Sequence, residues 1–238
     1  MVSPSKSQWE SLFDQAVAII NQANREFKLV DDWSFGGGTA LMLQIDQRES
    51  FDVDIFIDDP QLLPYLNPQV QGYTLDLNPD DYETDGTKAL KIVFAGVGEI
   101  DFICAPALTD YPTTMVPVRG VSVALETPAE IVAKKIYHRG SSMQPRDMFD
   151  IACIVEAFGE QCLLDALAPL KERAAVALEV AEKMDHRLAK TLMGSLLFRE
   201  NFSHIPSQGR AITIKLLEAV CAYDPASTNK VGTTPSPK

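Results

Sequence analysis

Two aspartates lie two residues apart in a segment, residues 51–57, that alternates apolar and polar side chains as a β-strand does. Side chains two positions apart on a strand leave the same face, so Asp52 and Asp54 can converge on one hard cation. Magnesium, or manganese, prefers such oxygen ligands, and magnesium shares its coordination shell with substrate phosphates. A site with two metal ions requires a third carboxylate, and Asp101, in the strand-like run 99–104, is the candidate. A lone pair of this kind is more often an ordinary exposed strand, so the neighbouring sequence has to decide.

Three consecutive glycines, Gly36, Gly37 and Gly38, come directly before a predicted short helix that begins at Thr39. Missing side chains let backbone N–H groups approach an anion, and the amino terminus of a helix adds positive potential. The hydroxyl of Thr39 can add a further contact. A glycine run alone is more often a tight turn, but its combination with the aspartate pair favours a site for metal-bound triphosphate.

These features belong to a longer block of sequence. The block reads GGTAL from Gly37, continues with Arg48 and Ser50, and ends with DVDIF from Asp52. It resembles the signature of the nucleotidyltransferase family of AbiEii/AbiGii toxins, within the DNA polymerase β-like superfamily. That signature is GG(S/T)AL, an Arg, a Ser or Thr, and then DxD followed by an apolar residue and Phe.

A second block of the same family is also matched. The family pattern is AExxAxK, then an Arg, then RD followed by two apolar residues, Asp and another apolar residue. This chain has AEIVAKK at residues 129–135, Arg139, and RDMFDI at residues 146–151. Two blocks in the family's order make the resemblance specific, and it covers residues 34–155.

The resemblance implies roles for these residues in nucleotide transfer. In the family, the strand aspartates bind metal, the glycine segment contacts nucleotide phosphates, and the lysine and an aspartate of the second block complete the site. The expected ligands of Mg²⁺ or Mn²⁺ are Asp52, Asp54 and Asp101; the expected nucleotide-binding residues are Gly36, Gly37, Gly38, Thr39, Arg48, Ser50, Lys135 and Arg139; the expected catalytic residues are Asp52, Asp54, Asp101, Lys135 and Asp147.

The second block also has a purely structural interpretation. Helical spacing places Lys135 and Arg139 on one side of a helix, where an ammonium group suits a phosphate. Arg146, Asp147 and Asp150 fit a salt-bridged helix start equally well, because acidic residues favour the first turn for reasons unrelated to function. The residue pattern leaves both interpretations open.

The expected activity is magnesium-dependent transfer of a nucleoside monophosphate from a nucleoside triphosphate to an acceptor hydroxyl. The resemblance implies the toxin of a type IV toxin–antitoxin or phage-defence system, with a cognate antitoxin and an RNA, tRNA or protein acceptor. The alternative is a non-catalytic nucleotide-binding or protein-interaction module that retained the fold.

The elements that must position these residues indicate an α+β protein. The resemblance implies a polymerase β-like mixed sheet flanked by helices and followed by a carboxyl-terminal helical region. The predicted division is a core at residues 1–126, a helical region at 127–225 that completes the site, and a disordered tail at 226–238. Ser7 and Glu10 form a capping-box pattern at the start of an amphipathic helix. The remaining predicted strands are 33–35, 72–77, 89–95, 99–104 and 116–125, and the later predicted helices start at 127 and span 145–158, 161–183 and 208–223.

Composition limits the partners. Twenty-one basic and thirty-three acidic residues give a net charge of −12, which opposes binding to a long polyanion. The four cysteines have no metal-ligand spacing and are expected to be reduced buried thiols. Neither a signal-peptide pattern nor an apolar run of membrane-spanning length is present, so a cytoplasmic protein without a membrane partner is expected.

Overall fold

The computed structural model describes residues 7–224, and the predicted disordered tail at 226–238 lies outside the described residues. Helices and a mixed sheet together confirm the α+β class. The helices are α1 (Trp9–Ala23), α2 (Gly37–Ile45), α3 (Pro68–Gln71), α4 (Pro128–Arg139), α5 (Pro145–Phe158), α6 (Gln161–Leu167), α7 (Lys171–Lys183), α8 (His186–Gly194) and α9 (Ile205–Ala222). The strands are β1 (Trp33–Gly36), β2 (Val53–Ile57), β3 (Asp81–Thr84), β4 (Ala89–Phe94), β5 (Gly98–Cys104), β6 (Thr113–Val118) and β7 (Val121–Glu126). Short 3-10 helices occupy Pro60–Leu66, Gly140–Ser142, Ala168–Leu170 and Glu200–Phe202.

The contacts divide the chain into two compact units. Within the described residues, the first unit runs to Ile131 and includes Leu197–Arg199, and the second contains Val132–Leu196 and residues 200–224. The predicted boundary lies just before α4, whereas the division by contacts falls inside this helix.

The first unit is built on a seven-stranded sheet in the order β3-β4-β5-β2-β1-β7-β6. The pairs β2·β5 and β1·β7 are parallel, and the other pairs are antiparallel. Val53, Ile55 and Ile57 alternate with less buried residues along β2, as expected for a strand with one core face. The ring of Phe13 in α1 lies 5.2 Å from that of Phe35 in β1, so α1 covers this core.

The second unit is helical, and small residues bring its helices close together. Gly209 in α9 has Met193 and Ala152 as neighbours, and an added Cβ would lie 3.1 Å from the sulfur of Met193. Arg210 donates to the main-chain oxygens of Ala181 and Glu182 at the end of α7, which satisfies carbonyls that a helix end leaves without partners. No helix within residues 7–224 is long and apolar enough to cross a bilayer.

One predicted strand is wrong, and a strand lies where a turn was expected. Residues 72–77 form no strand: Gly72 ends the short helix α3 in the left-handed region at φ 70°, and residues 73–77 are irregular. The strand β3 lies instead inside the polar segment NPDDYETDG. It is an edge strand with mostly exposed side chains, so its sequence lacks the apolar alternation that marks a half-buried strand.

The predicted long strand 116–125 is also wrong, because the chain folds there into the hairpin β6·β7. Arg119 and Gly120 form its turn at φ 48° and 81°, the left-handed geometry of a two-residue hairpin turn.

Thr127 does cap α4, since its hydroxyl accepts a hydrogen bond from the backbone N–H of Glu130 at 3.3 Å. Glu130 is fully buried and accepts from the backbone N–H groups of Leu108 and Thr109.

Two helix predictions need correction, and one helix was missed. The expected capping box at Ser7 does not form, because the Ser7 hydroxyl donates to the main-chain oxygen of Ser50 and Gln8 precedes the helix. The helix predicted over 161–183 breaks into α6 and α7 with a 3-10 turn between them that contains Pro169. Helix α8 was not predicted, although Asp185 caps it by accepting from the N–H of Leu188.

Candidate active site

The glycine segment, Gly36–Gly38, joins β1 directly to α2. Gly36 pairs with Asp54 in the antiparallel ladder between β1 and β2. Gly37 lies in the left-handed region at φ 70°, and a Cβ on it would fall 1.9 Å from Oδ2 of Asp54. The carboxylate therefore rests against bare backbone, which only glycine permits.

Gly38 brings two further predicted residues to the same segment. A Cβ on Gly38 would lie 2.9 Å from both Nη2 of Arg48 and Oγ of Ser50. Both of these side chains are buried. The structure thus gathers Arg48, Ser50 and Asp54 around the glycine segment, as the first sequence block predicted.

The loop that carries Arg48 and Ser50 is held by contacts with a later part of the chain. Arg199 contacts two of its carboxylates, with Nε 2.7 Å from Oδ1 of Asp46 and Nη2 2.9 Å from Oε2 of Glu49. An isolated β-bridge pairs Arg48 with Phe198. These contacts hold the loop that follows α2 against residues 198–199.

Thr39 has a different place from the one expected. Its side chain is fully buried, and its hydroxyl donates to the main-chain oxygen of Asp52. Thr39 therefore ties the first turn of α2 to the residue that precedes β2. A contact between this hydroxyl and a nucleotide stays a prediction.

Two of the three predicted metal ligands are neighbours in the sheet, and the third lies just before it. Asp54 in β2 is paired with Asp101 in β5. Asp52 lies just before β2, and its Oδ1 accepts from the backbone N–H of Glu99 at 3.2 Å. Lys91 in β4 is paired with Asp101, and its Nζ lies 3.6 Å from Oδ2 of that aspartate.

The charges around Asp101 are unbalanced. Burial raises the pKa of Asp101 to about 6, against the opposing charge of Lys91 and with the support of Glu99 and Asp52. Lys91 also contacts Glu99, and although burial lowers the pKa of Lys91, its acidic neighbours raise it overall. A further cation nearby would favour the ionised form of Asp101 and oppose this rise.

The donor chemistry fits a hard divalent ion. Asp52, Asp54 and Asp101 offer only carboxylate oxygens, which magnesium prefers. Within residues 7–224, however, no three His, Cys, Asp or Glu side chains are grouped closely enough to hold a metal ion. Binding of Mg²⁺ or Mn²⁺ by these aspartates stays a prediction.

The residues of the second block form a buried ion cluster in the second unit. Nζ of Lys135 lies 2.8 Å from Oδ1 of Asp147 and 3.0 Å from Oδ2 of Asp150. Nη2 of Arg139 lies 3.4 Å from Oδ2 of Asp147, which also accepts from the backbone N–H of Gln144. Burial alone would raise the pKa of Asp147, but Lys135, Arg139 and this N–H lower it overall.

This cluster has the ion pairs that the structural interpretation of the second block required. Asp147 and Asp150 open α5 and share the ammonium group of Lys135, whereas Arg146 is exposed. Contact of Lys135 or Arg139 with a triphosphate, and a catalytic role for Asp147, stay predictions.

Two residues next to the predicted site were missed by sequence reasoning. Lys91 alternates with apolar residues along β4, but its place beside Asp101 depends on strand register, which the sequence does not reveal. Glu126 ends β7, and its Oε2 lies 2.2 Å from the position that a Cβ on Gly36 would take. A glutamate at the end of an apolar strand run was the available signal.

The family assignment rests on most of the chain. Residues 22–210 match the family model described as "Nucleotidyl transferase AbiEii toxin, Type IV TA system". The chain belongs to this AbiEii family. The predicted family and the predicted enzyme class, nucleotidyltransferase, are confirmed, and a toxin family of this type implies a cognate antitoxin.

Two solved structures are similar to the AbiEii chain along almost its whole length. JHP933 from Helicobacter pylori has 14% sequence identity and a TM-score of 0.47, with 92% of this chain and 94% of that chain covered. A candidate nucleotidyltransferase from H. pylori has 14% identity and a TM-score of 0.49, with 96% and 100% covered. No match was found among curated proteins.

Substituting Gly37 tests the close approach of Asp54. Gly37→Ala places a Cβ both at a positive φ and against the carboxylate, whereas Gly86→Ala has a similar φ of 76° and nothing within 4 Å. The control should lose about 1–2 kcal/mol of unfolding free energy from backbone strain alone. Gly37→Ala should lose about 1–3 kcal/mol more, since the site must rearrange. Urea unfolding measures both, and equal losses would contradict the packing described.

Asp101→Asn tests the charge imbalance in the presence of a chelator. The pKa of Asp101 is raised from 3.8 to about 6 in the folded state, so the native protein binds the proton more tightly and stability falls as pH rises between these values. The variant lacks this penalty and should gain on the order of 2 kcal/mol at pH 8, with little gain at pH 4. Urea unfolding at both pH values measures this, with exposed Asp32→Asn as control. Parallel pH profiles for wild type and Asp101→Asn would contradict the account.

Lys135→Met tests the buried cluster. The variant leaves Asp147 and Asp150, which are 1% and 0% exposed, without the ammonium group between them. The loss should be about 3–5 kcal/mol at pH 8. It should shrink as pH falls and the carboxylates take up protons. The control is Lys183→Met, at an exposed pair with Glu179, which should change stability by less than about 1 kcal/mol. A stable Lys135→Met protein at pH 8 would contradict the role of this lysine.

Proposed function

We propose that this AbiEii-family chain transfers a nucleoside monophosphate from a nucleoside triphosphate to an acceptor hydroxyl, with Mg²⁺ as the cofactor. The observation that carries the proposal is the packing of Gly37 against the carboxylate of Asp54. This contact puts bare backbone at the start of a helix beside an acidic strand. The proposed phosphate site and the proposed metal site are therefore adjacent in the first unit.

The glycine segment binds the triphosphate. Backbone N–H groups in the first turn of α2 have no partners within the helix, and the helix dipole favours an anion there. Arg48 lies beside Gly38 and supplies positive charge close to the same segment. Together these groups orient the α-phosphorus toward the acceptor.

Asp52, Asp54 and Asp101 hold the metal. When bound, Mg²⁺ neutralises charge on the phosphate oxygens and on the leaving pyrophosphate. The aspartates balance the ion. Burial raises the pKa of Asp101, with a smaller contribution from Glu99 and Asp52, so a bound cation would favour the ionised form of this carboxyl group. Arg48 and the glycine segment hold the triphosphate in the orientation that the transfer requires.

The reaction requires no protein nucleophile. The acceptor hydroxyl loses its proton to solvent as its oxygen forms a bond to the α-phosphorus, the bond from that phosphorus to the bridging oxygen breaks, and pyrophosphate leaves with the electron pair. Positioning and charge neutralisation supply most of the rate enhancement in such a transfer. The acceptor is an RNA, tRNA or protein hydroxyl, and the chain acts as the toxin of a type IV pair in the cytoplasm.

The test is label transfer from each α-labelled nucleoside triphosphate to cellular tRNA or protein in the presence of Mg²⁺. The double variant Asp52→Asn/Asp54→Asn should lower the rate by about 100-fold or more, because several kcal/mol of charge stabilisation are lost. The matched control, Asp31→Asn/Asp32→Asn, makes the same charge change at exposed positions and should keep the wild-type rate.

Three outcomes are decisive. Loss of labelling in the site variant alone supports the transferase. Equal labelling by all three proteins would show that the aspartates are not the metal ligands. Magnesium-dependent nucleotide binding without any transfer would favour the non-catalytic nucleotide-binding module.

A further inference from the structure

Glu126 is a buried carboxylate on the opposite side of the glycine segment from Asp54. Phe35 in β1 pairs with Leu125 in the parallel strand β7, so Gly36 and Glu126 follow as neighbours in the same row of the sheet. Only 1% of Glu126 is exposed. Its Oε2 lies 2.2 Å from the position of a Cβ on Gly36, so the carboxylate fills the space that the missing side chain leaves.

Glu126 also contacts the chain on both sides of the glycine segment. Ser34, two residues before Gly36, donates from Oγ to Oε1 of Glu126 at 2.9 Å. Gln44 in α2 donates from Nε2 to the main-chain oxygen of Glu126 at 3.0 Å and to that of Ala40 at 2.9 Å. The end of β1 and the body of α2 are therefore held by one residue of β7.

Gly36 is enclosed on this face of the sheet. The second group against it is the ring of Phe56, whose Cε2 lies 2.5 Å from the same Cβ position. Phe56 is paired with Ser34 across β1 and β2. The Phe56 ring and the Glu126 carboxylate thus both pack against Gly36, and Ser34 holds the carboxylate by a hydrogen bond.

We propose that Glu126 is a positioning residue: it sets the conformation of the glycine segment and, through it, the affinity for the triphosphate. The second half of this inference rests on the proposed function. The two contacts that carry this inference are the packing of the carboxylate against Gly36 and the hydrogen bond from Ser34, and neither requires a negative charge. Glutamine, which has the same size and an oxygen that can accept from Ser34, should therefore replace it.

Four variants of the full chain separate positioning from general stability. Glu126→Ala removes the side-chain contacts with Gly36 and Ser34, and Glu126→Gln preserves them. Ser34→Ala removes only the hydroxyl that donates to Glu126. Glu83→Ala, at an exposed position of the edge strand β3, is the matched control. Thermal unfolding records how much of any effect is global.

The first measurement is hydrogen exchange at the amides of residues 37–40 without nucleotide. Glu126→Ala should accelerate exchange there by about tenfold or more while leaving α9 unchanged, and Ser34→Ala should give a smaller acceleration. The second measurement is the dissociation constant for the Mg²⁺ complexes of ATP, GTP, CTP and UTP. For those that wild type binds, it should rise about tenfold in Glu126→Ala and stay within about threefold in Glu126→Gln and Glu83→Ala.

The two measurements fail separately. Wild-type exchange in Glu126→Ala, or in Ser34→Ala if Glu126→Ala does not fold, would overturn the positioning role. Impairment of Glu126→Gln as severe as that of Glu126→Ala would also overturn it, since shape would then not suffice. Accelerated exchange in Glu126→Ala, with no nucleotide bound by wild type, would sink the proposed function and leave the positioning of the glycine segment standing.

Discussion

The structure of the site depends on the absence of side chains at the junction of β1 and α2. Gly36, Gly37 and Gly38 each face a polar group that a Cβ would displace: Glu126, Asp54 and Arg48 with Ser50, respectively. The backbone of this junction is consequently surrounded by charged and polar side chains at contact distance. Strand pairing brings the aspartate to this junction, because the ladder between β1 and β2 places Asp54 opposite Gly36.

The two units balance their buried carboxylates in different ways. In the second unit, the ammonium group of Lys135 lies between Asp147 and Asp150, and this charge lowers the pKa of Asp147 despite its burial. In the first unit, Lys91 contacts Glu99 and Asp101 but does not prevent the pKa of Asp101 from rising. Burial, with the neighbouring carboxylates Glu99 and Asp52, therefore makes the ionised form of Asp101 costly to the folded state, whereas Lys135 keeps Asp147 ionised.

Local sequence patterns drew attention to the glycine segment and the aspartates, and strand register determined which other residues lie beside them. The glycine run, the alternation around Asp54 and the run containing Asp101 are readable because each signal lies within a few residues. Lys91 meets Asp101 through the register of the hairpin between the consecutive strands β4 and β5. Glu126 meets Gly36 through the pairing of β7 with the distant strand β1, and the apolar pattern within a strand specifies neither register. Similarly, the edge strand β3 escaped prediction because exposed strands need no apolar alternation.

The proposed function requires that the glycine segment, Asp52 and Asp54 bind one metal–triphosphate group. A crystal structure with Mn²⁺ and a triphosphate analogue that resists transfer tests this most directly, since manganese is located by its anomalous scattering. The account predicts the manganese on carboxylate oxygens of Asp52 and Asp54, with phosphate oxygens on the backbone N–H groups of residues 37–39. Manganese and triphosphate bound away from both the aspartates and the glycine segment would contradict it.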